Sequence, residues 1–559
     1  MKRFFLVVFI AALMLSTVAL AQNFTRSETL YAGGGLWGPP TNWNPITPWS
    51  AVSGTFGLVY EPLFLYDPVE DELIPWLATS GEWVDLNTFA LEIREGVKWT
   101  DGTPLTAEDV KFTFELAKIH PETYYSSIWN WLDHIERIGN MLKFHFVEPL
   151  YHEWHNNLYN LPIIPKHLWE GRTKEAILTG ANENPVGSGA YFADSHASDR
   201  MVYVRNDTWW ATDKLGLVPA PRRIVYVVIF SNNVALGMIL QGDLDVSNFF
   251  LPGIPTLKRT YEGIHTWFDE APYMLSDNTA FLFMNTTKKP MDDAAFRRAV
   301  AFAINSADIK RRVFEDQVLV SNPLGYLPID AWMQYYNQEI VDMYGFSYDP
   351  VEARRILAEA GYRDISGDGF VQMPDGSPIR LSIIVPFGWT DWMESIRIIA
   401  SNLRAVGINA EATFPDFGRY QDELYDGVFH MAINNFGSNA SNTLWTFYDW
   451  LFYELGERQT SGNFGRYDNP EVFALLDQFN RTPFDDHRTS EQILSKMQEI
   501  FLKEMPAVPL WYNGMWFQAS TQVWTNYPSE HGPYHYPCTW GGRWQEGGLL
   551  MLTDLKSKQ

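Results

Sequence analysis

The chain has 559 residues with a single cysteine, Cys538, and it begins with an export signal. Lys2 and Arg3 precede the apolar stretch Phe4–Leu20, and Ala19-Leu20-Ala21 supplies the small residues of a cleavage site. We predict a signal peptide over residues 1–21 and a mature protein that is soluble and periplasmic. An uncleaved anchor is the alternative, since about 17 apolar residues nearly span a bilayer. Because a single cysteine allows no intramolecular disulfide, the fold must rest on hydrophobic packing.

The acidic composition narrows the choice of partners. The chain carries 42 Lys+Arg against 67 Asp+Glu, a formal charge of −25. Binding to phosphate backbones needs a basic face, so nucleic acid is excluded, and anionic lipid is disfavoured for the same reason. Hydrophobic residues make up 46% of the chain, which is enough for a large core over three or four compact units. We expect a monomer that needs no cofactor.

Strand and helix patterns alternate along the chain, which predicts a mixed α/β fold. Thr106 is predicted to cap a helix whose buried face carries Val110, Phe114 and Ala117. Further along, a strand at Arg380–Val385, a helix at Trp392–Val406 and a strand at Ile408–Thr413 follow one another. Such a strand–helix–strand unit predicts a parallel pair of strands.

Several segments resemble phosphate-binding or metal-binding motifs but lack the spacing that those motifs require. No Gly-Lys-Ser/Thr follows Gly33-Gly34-Gly35, so that run is not a phosphate loop. The histidines of His152-Glu153-Trp154-His155 are three residues apart, whereas zinc hydrolases place them four apart on one helical face, so we interpret this segment as a surface helix or loop. A secreted glycoside hydrolase would also be acidic and rich in tryptophan, and it stays open as an alternative because it needs only two suitably spaced carboxylates.

Asp364-Ile365-Ser366-Gly367-Asp368-Gly369 followed by Asp375 approximates a calcium loop. Positions 1, 3, 5 and 12 carry oxygen atoms and position 6 is glycine. Ser366 at position 3 and Asp375 in place of glutamate weaken the match, and a hairpin turn is the alternative interpretation. Our prediction for a resident metal is therefore none, with Asp364, Ser366, Asp368 and Asp375 as a weak calcium candidate.

Motifs spread over most of the mature chain carry a family resemblance. They are Leu58-Val59-Tyr60-Glu61-Pro62-Leu63, the stretch from Glu95-Gly96-Val97-Lys98-Trp99 to Asp109-Val110, Asn184-Pro185-Val186-Gly187-Ser188-Gly189, and Met284-Asn285-Thr286 with Arg297-Arg298-Ala299-Val300. In these segments the chain resembles the family 5 extracytoplasmic solute-binding proteins of ABC importers, the peptide and oligosaccharide class. The resemblance implies the two-lobed α/β periplasmic-binding-protein fold (class II, cluster C), with ligand trapped between the lobes and passed to membrane permease subunits.

The resemblance also implies a division of the chain. Lobe I would be discontinuous and comprise residues 22–61, 184–270 and 515–559. An insert domain would cover residues 62–183, and lobe III would cover residues 271–514.

One departure from the family pattern bears on the ligand. Peptide-binding members usually place an acid after the strand equivalent to Phe429–Asn434, to pair with the peptide ammonium group. Here residues 434–442 hold amides and hydroxyls without a carboxylate. Amides suit a neutral, hydroxyl-rich ligand because they both donate and accept hydrogen bonds, whereas a buried ammonium group left unpaired costs several kcal/mol, roughly. A solvated Asn/Ser turn is the alternative.

The 23 tryptophans give the second argument, because an indole can stack on the apolar face of a pyranose. Several of them lie at predicted strand ends, where clefts of α/β lobes form. Core packing is the alternative for each. Adding polar neighbours and positions that the resemblance implies, the predicted ligand-binding residues are Trp37, Asn44, Asn248, Trp389, Asp391, Trp392, Phe417, Arg419, Asn434, Asn435, Ser438, Asn439, Trp511 and Tyr512.

With its tryptophans after the first strand and its missing acid, the chain looks most like the subgroup of the family that binds β-linked gluco- and manno-oligosaccharides such as cellobiose and mannobiose. The resemblance therefore implies a non-enzymatic binding protein for such sugars. An oligopeptide-binding member of the same family is the alternative, and a nickel- or chelate-binding member stays open as well.

Overall fold

The structure, a computed structural model, describes residues 24–35, 39–47, 51–435, 443–539 and 543–558. Within those ranges no helix is both long enough and apolar enough to cross a membrane. The predicted signal peptide lies outside the described residues.

A seven-stranded mixed sheet forms the centre of lobe I. Its central strand is parallel to both of its neighbours, and the outer pairs are antiparallel. Because the central strand comes from the N-terminus and one strand comes from the C-terminal tail, the sheet is assembled from distant parts of the chain. In spatial order the strands are Ile264–His265, Gln518–Ser520, Val246–Ser247, Thr29–Gly34, Arg223–Val228, Arg200–Arg205 and Tyr191–Ala197.

A six-stranded sheet forms the centre of lobe III. The predicted parallel pair is confirmed, with Leu381–Ile384 parallel to Ala410–Thr413. The spatial order is Leu319–Val320, Ala507–Gly514, Ser276–Met284, Met431–Asn435, Leu381–Ile384 and Ala410–Thr413.

The insert domain is built on a four-stranded antiparallel sheet. Its strands, in spatial order, are Ala78–Asp85, Thr88–Ile93, Met141–Phe146 and Leu132–Ile138. Two further strand pairs are Phe64–Asp67 with Glu72–Pro75, and Trp524–Thr525 with Lys556–Ser557.

Helices cover the sheets, and short 3-10 turns occur at Arg26–Glu28, Ser126–Asn130 and Trp544–Glu546. The predicted cap on the first α-helix is confirmed, since the Thr106 hydroxyl accepts a hydrogen bond from the Glu108 backbone N–H. The α-helices are Ala107–Ile119, Tyr151–Asn160, Lys166–Trp169, Lys174–Leu178, Trp210–Leu215, Asn232–Gln241, Ile254–Thr260, Ala294–Ala303, Ser306–Arg312, Asp330–Met333, Gln338–Tyr344, Pro350–Glu359, Thr390–Ala405, Phe417–Tyr425, Leu444–Leu451, Pro470–Asn480, His487–Glu504 and Gly548–Asp554.

Separate hydrophobic cores divide the molecule into two bodies. One core joins the lobe I sheet, the insert domain and the C-terminal tail, with Leu30, Trp154 and Trp524 among its buried members. A smaller core lies under the helices Asn232–Gln241 and Ile254–Thr260 of lobe I. The other large core lies almost entirely within lobe III and includes Phe281 and Ile399. Lobe I and the insert domain therefore pack as one body, and lobe III forms the second.

Two neighbouring segments connect the bodies. One leads from the lobe I strand ending at His265 to the lobe III strand starting at Ser276, and the other leads back from Gly514 to Gln518. The Met515 backbone N–H donates to the Leu275 carbonyl at 2.7 Å, so the connections lie side by side. Two adjacent connections suit a hinge. The residue limits given above for the lobes and the insert domain remain our proposed division.

One sequence interpretation was wrong. Residues 152–155 belong to a helix that is packed between bodies and does not lie on the surface, and the His152 side chain is buried. The sequence could not show this burial, because the histidines of this helix pack against Phe479 and Phe484 from a distant part of the chain.

Candidate ligand-binding cleft

A row of amides lies across three adjacent strands of the lobe III sheet. Asn278 lies opposite Asn513 in the strand register, and Asn435 lies opposite Ala280. The Asn435 Nδ2 donates to the Asn278 Oδ1 at 3.0 Å, and the Asn278 Nδ2 donates to an Asp277 carboxylate oxygen at 2.6 Å. These bonds fix the orientation of both amides. The Asn513 Oδ1 is buried and accepts no hydrogen bond from the described residues, so it has capacity for a ligand donor.

The charge next to this row is compensated. The buried Asp277 carboxylate accepts a hydrogen bond from the Tyr536 hydroxyl and lies 3.4 Å from the Arg543 guanidinium. Arg543 also pairs with Glu546 at 2.7 Å, and burial raises the pKa of Glu546 to about 7. Since Asp277 is already paired, it is poorly placed to serve as the counter-ion of a ligand ammonium group.

Lobe I contributes Asn248, which follows the strand Val246–Ser247. The Asn248 Oδ1 accepts from the Thr539 hydroxyl at 2.8 Å, and its Nδ2 donates to the Gly33 carbonyl at 3.3 Å. A Cβ on Gly33 would lie 2.7 Å from the end of the Ile229 side chain, so a larger residue here would require that side chain to shift. Asn248 thus lies at the strand ends of lobe I, as predicted, and is held there by its neighbours.

The two lobes touch beside Asp391. The Asn232 Nδ2 of lobe I lies 3.4 Å from the Thr390 hydroxyl of lobe III. Burial raises the pKa of Asp391 to about 6, while the backbone N–H groups of Asp391 and Trp392 and the Asn232 amide favour the carboxylate. Asp391 is therefore buried at the lobe–lobe contact.

Trp389 and Phe417 present partly exposed rings near this contact. Trp389 packs edge-on against Trp392 with ring centroids 5.0 Å apart, and Phe417 lies 5.8 Å from Trp389. Phe417 is 36% exposed. Supported on one side and accessible on the other, these rings provide apolar platforms.

Other predicted site residues have structural tasks. The buried Asn44 uses its Nδ2 to bind the Ile177 and Gly180 carbonyls, both at 2.8 Å. Trp392 and Trp511 belong to the lobe III core, where Trp511 packs 5.0 Å from Phe314. Core packing or backbone hydrogen bonds involve these three side chains, and their place in the ligand site stays a prediction.

Tyr512 and Arg419 also make contacts within lobe III, and their place in the ligand site stays a prediction. The buried Tyr512 hydroxyl accepts from the Asn322 backbone N–H at 3.0 Å, and burial raises its pKa to about 12. Arg419 is exposed and pairs with Glu423 one helical turn away at 2.6 Å. Such a surface pair needs no functional explanation.

Asn434 is half-buried, and its Oδ1 accepts the Asn435 backbone N–H at 2.8 Å. Trp37, Ser438 and Asn439 lie outside the described residues. They remain predictions.

The calcium candidate loop is closed by its own hydrogen bonds. The Asp364 carboxylate accepts the backbone N–H groups of Gly367 and Gly369 at 2.7 and 2.9 Å, and Asp375 accepts that of Ser377 at 2.9 Å. Asp368 accepts the Phe370 N–H at 3.0 Å. Across the described ranges, the one convergent group of potential metal ligands is the exposed set Asp269, Glu530 and His531. The geometry of the 364–375 loop therefore favours the turn interpretation.

Sequence reasoning missed Asn232, Asn278 and Asn513. Asn278 and Asn513 lie near the ends of strands, and Asn232 starts a helix and contacts Thr390 of the other lobe. The available signal was that polar residues cluster where adjacent strands end, but strand order must be known before it can be used.

Two sheet-centred bodies, joined by paired connections and facing each other with oriented amides, form the architecture of a ligand-trapping protein. The model of the bacterial extracellular solute-binding proteins, family 5 (middle region), matches residues 72–457. A crystal structure of a periplasmic oligopeptide-binding protein from Thermotoga maritima, with mannohexaose bound, is 51% identical. It has a TM-score of 0.91 and covers 96% of this chain and 100% of its own.

More distant relatives are named as peptide-binding proteins. The dipeptide-binding protein of Escherichia coli K12 is 22% identical over 496 residues, covering 84% of this chain and 87% of its own. The periplasmic oligopeptide-binding protein of the same organism is 22% identical over 538 residues, covering 90% and 91%. The chain belongs to the family 5 bacterial extracellular solute-binding proteins, and it is the non-enzymatic substrate-binding component of an ABC transporter.

Proposed function

We propose that the solute is a β-linked gluco- or manno-oligosaccharide. The observation that carries this proposal is the amide row Asn278–Asn435–Asn513 beside an acid that is already paired. Amides oriented by neighbouring residues match ligand hydroxyls, which donate and accept. The paired Asp277 provides no uncompensated charge for a peptide terminus.

The aromatic platforms support the same ligand class. Trp389 and Phe417 offer flat faces to the C–H surface of a sugar ring, and the amides then set its orientation. The mannohexaose-bound neighbour, which shares 51% identity with this chain, supports a sugar ligand independently of our residue argument.

The mechanism follows from the two bodies. Ligand enters between lobe I and lobe III, and rotation about the paired connections brings the bodies together and excludes water. The permease subunits then engage the closed form. Platform stacking supplies most of the affinity, and the amides supply specificity.

Isothermal titration of the purified mature chain tests the proposal. The ligands are cellobiose, mannobiose, mannohexaose and a panel of di- to pentapeptides. We expect saturable heat with at least one sugar and none with the peptides. Binding of peptides with no response to any sugar would overturn the sugar assignment and leave family membership intact.

A further inference from the structure

The insert domain touches lobe III through one of its helices. The helix Tyr151–Asn160 packs against the lobe III helices Leu444–Leu451 and Pro470–Asn480. The His152 Nδ1 lies 2.5 Å from the Thr443 hydroxyl. The His152 ring also lies between two aromatic rings of lobe III, with centroids 4.3 Å from Phe479 and 4.5 Å from Phe484.

A second group of polar contacts lies beside His152. The Glu153 backbone N–H donates to the Asn480 Oδ1 at 3.0 Å, and the Asn480 Nδ2 donates back to the Glu153 carboxylate at 3.4 Å. Arg481 of lobe III forms an ion pair with Glu148 of the insert domain. Each bond therefore joins one body to the other.

These contacts depend on the relative position of the two bodies. The insert domain shares its hydrophobic core with lobe I, whereas Phe479 and Leu451 belong to the core of lobe III. Rotation about the hinge would separate His152 from Thr443 without disrupting either core. The contacts form only when the insert domain and lobe III meet.

Thr443 has a second role within lobe III. Its hydroxyl accepts the Trp445 backbone N–H at 3.1 Å and so caps the helix Leu444–Leu451. The predicted sugar-binding segment 434–442 ends one residue before it, and Asn435 at the other end of that segment belongs to the amide row. The Thr443 hydroxyl is therefore both a helix cap and the point at which the insert domain contacts the chain directly after the predicted segment.

We propose that the insert domain is a latch for the closed form, in which His152 is a positioning residue that fastens Thr443 and slows release of the bound solute. The latch comprises His152, Glu153 and Glu148 on the insert domain and Thr443, Asn480 and Arg481 on lobe III. It acts on whichever solute closes the lobes, so it does not depend on the sugar assignment. Burial lowers the pKa of His152 to about 3, so its imidazole is neutral in the closed form at ordinary pH.

A double-mutant cycle on solute release tests the latch. The variants are His152→Ala, Thr443→Val and both together, with Thr443→Ser as the conservative variant that keeps the hydroxyl. Asn156→Ala is the matched control, because the Asn156 side chain bonds Asn160 within the same helix. The probe is mannohexaose in stopped-flow displacement, or the tightest peptide of the panel if only peptides bind.

We expect His152→Ala to raise the dissociation rate about tenfold with little change in the association rate. The double variant should release the probe no faster than the worse single variant, and Thr443→Ser and Asn156→Ala should behave like wild type. If the effects of the two substitutions on the release rate are not additive and the melting temperature of the ligand-free chain is unchanged, the contact acts as a latch and the result is not due to a local packing defect. Wild-type release from His152→Ala, or fully additive effects, would overturn the proposal.

Hydrogen exchange of the solute-bound chain gives a second reading of the latch, because the contact forms in the closed form. His152→Ala should raise amide exchange in Tyr151–Asn160 and in Leu444–Leu451 together, while the insert-domain sheet keeps its protection. Unchanged exchange in Leu444–Leu451 would contradict contact across the bodies. Failure of sugar binding in the titration panel affects only the ligand assignment, so the two proposals fail separately.

Discussion

The insert domain has two boundaries, and they are built differently. Towards lobe I, the buried Glu61 carboxylate accepts the indole N–H groups of Trp76, Trp209 and Trp210 at 2.8 to 3.1 Å. The Ser188 hydroxyl adds a fourth hydrogen bond at 2.7 Å. Towards lobe III, the contacts are polar pairs around His152 with two aromatic rings, and the described residues on the two sides belong to separate hydrophobic cores.

The difference shows which boundary is permanent. Around Glu61, side chains from both sides of the boundary lie in one continuous core, so separating them would expose apolar surface and leave buried donors unsatisfied. At the latch, side chains of the two bodies bond each other but water can replace each partner on opening. A protein that must open and close needs one boundary of each kind.

Replacing Glu61 should weaken the permanent boundary and cause the largest loss of unfolding free energy among these variants. Glu61→Leu leaves three indole N–H groups and a hydroxyl without an acceptor, which should cost about 3–5 kcal/mol of unfolding free energy. Urea unfolding of the ligand-free chain measures it. A loss below about 1 kcal/mol would mean that the boundary does not depend on Glu61.

The pH dependence of Glu61→Gln supplies the control. Burial raises the pKa of Glu61 to about 7 from an ordinary 4.5. Charging the folded carboxyl is therefore costly, so its contribution to stability is full below about pH 4.5 and falls as the pH rises to 7. The stability advantage of wild type over Glu61→Gln should shrink by about 2–3 kcal/mol between pH 5 and pH 8.

Asn435→Asp extends the comparison into the cleft on the lobe III side. The substitution places a carboxylate oxygen against the Asn278 Oδ1, where an N–H now donates at 3.0 Å. It also puts negative charge beside a row that we propose is neutral. We expect mannohexaose affinity to fall about 30-fold, roughly 2 kcal/mol, measured by titration.

Urea unfolding of Asn435→Asp is the accompanying control, and it should change by less than about 1 kcal/mol. If this variant kept wild-type sugar affinity, the amide row would have no part in recognition.

Asp449→Asn should strengthen the latch at high pH. Burial, and then repulsion from Glu153 across the boundary, raises the pKa of Asp449 to about 7 from 3.8. The charged carboxyl opposes closure more strongly as the pH rises from 3.8 to 7. Removing the charge should therefore tighten probe binding about fivefold at pH 8, and less at pH 5.

The groups facing Asp449 are unchanged in this variant: Glu153, whose pKa is raised by burial, and Tyr453. His152 and His155, whose pKa values burial lowers to about 3 and 4, are also the same in both proteins, so their titration cancels in the comparison. Equal gains in affinity at both pH values would show that the charge on Asp449 does not oppose closure.

The sequence predicted the frame of this molecule better than its cleft. Thr106 capping and the parallel pair at 381–384 and 410–413 follow from local patterns, so both were predictable. Tryptophans were harder, because an indole in a core and one on a platform have the same local sequence. Trp76 and Trp209 donate hydrogen bonds to the buried Glu61 carboxylate, which only the three-dimensional contacts show. The latch was unpredictable for the same reason, since His152 and Thr443 are 291 positions apart.

Arg419→Ala should have the smallest effect and so sets the baseline for the comparison. Arg419 is exposed and pairs with Glu423 within its own helix, at neither boundary of the insert domain. Exposed pairs of this spacing contribute about 0.3–0.5 kcal/mol. We expect unfolding free energy to fall by no more than that, with probe affinity and release rate unchanged. A drop in affinity of tenfold or more would support the predicted place of Arg419 in the cleft. It would also show that the lobe III surface around Phe417 reaches the ligand through charge as well as through its ring.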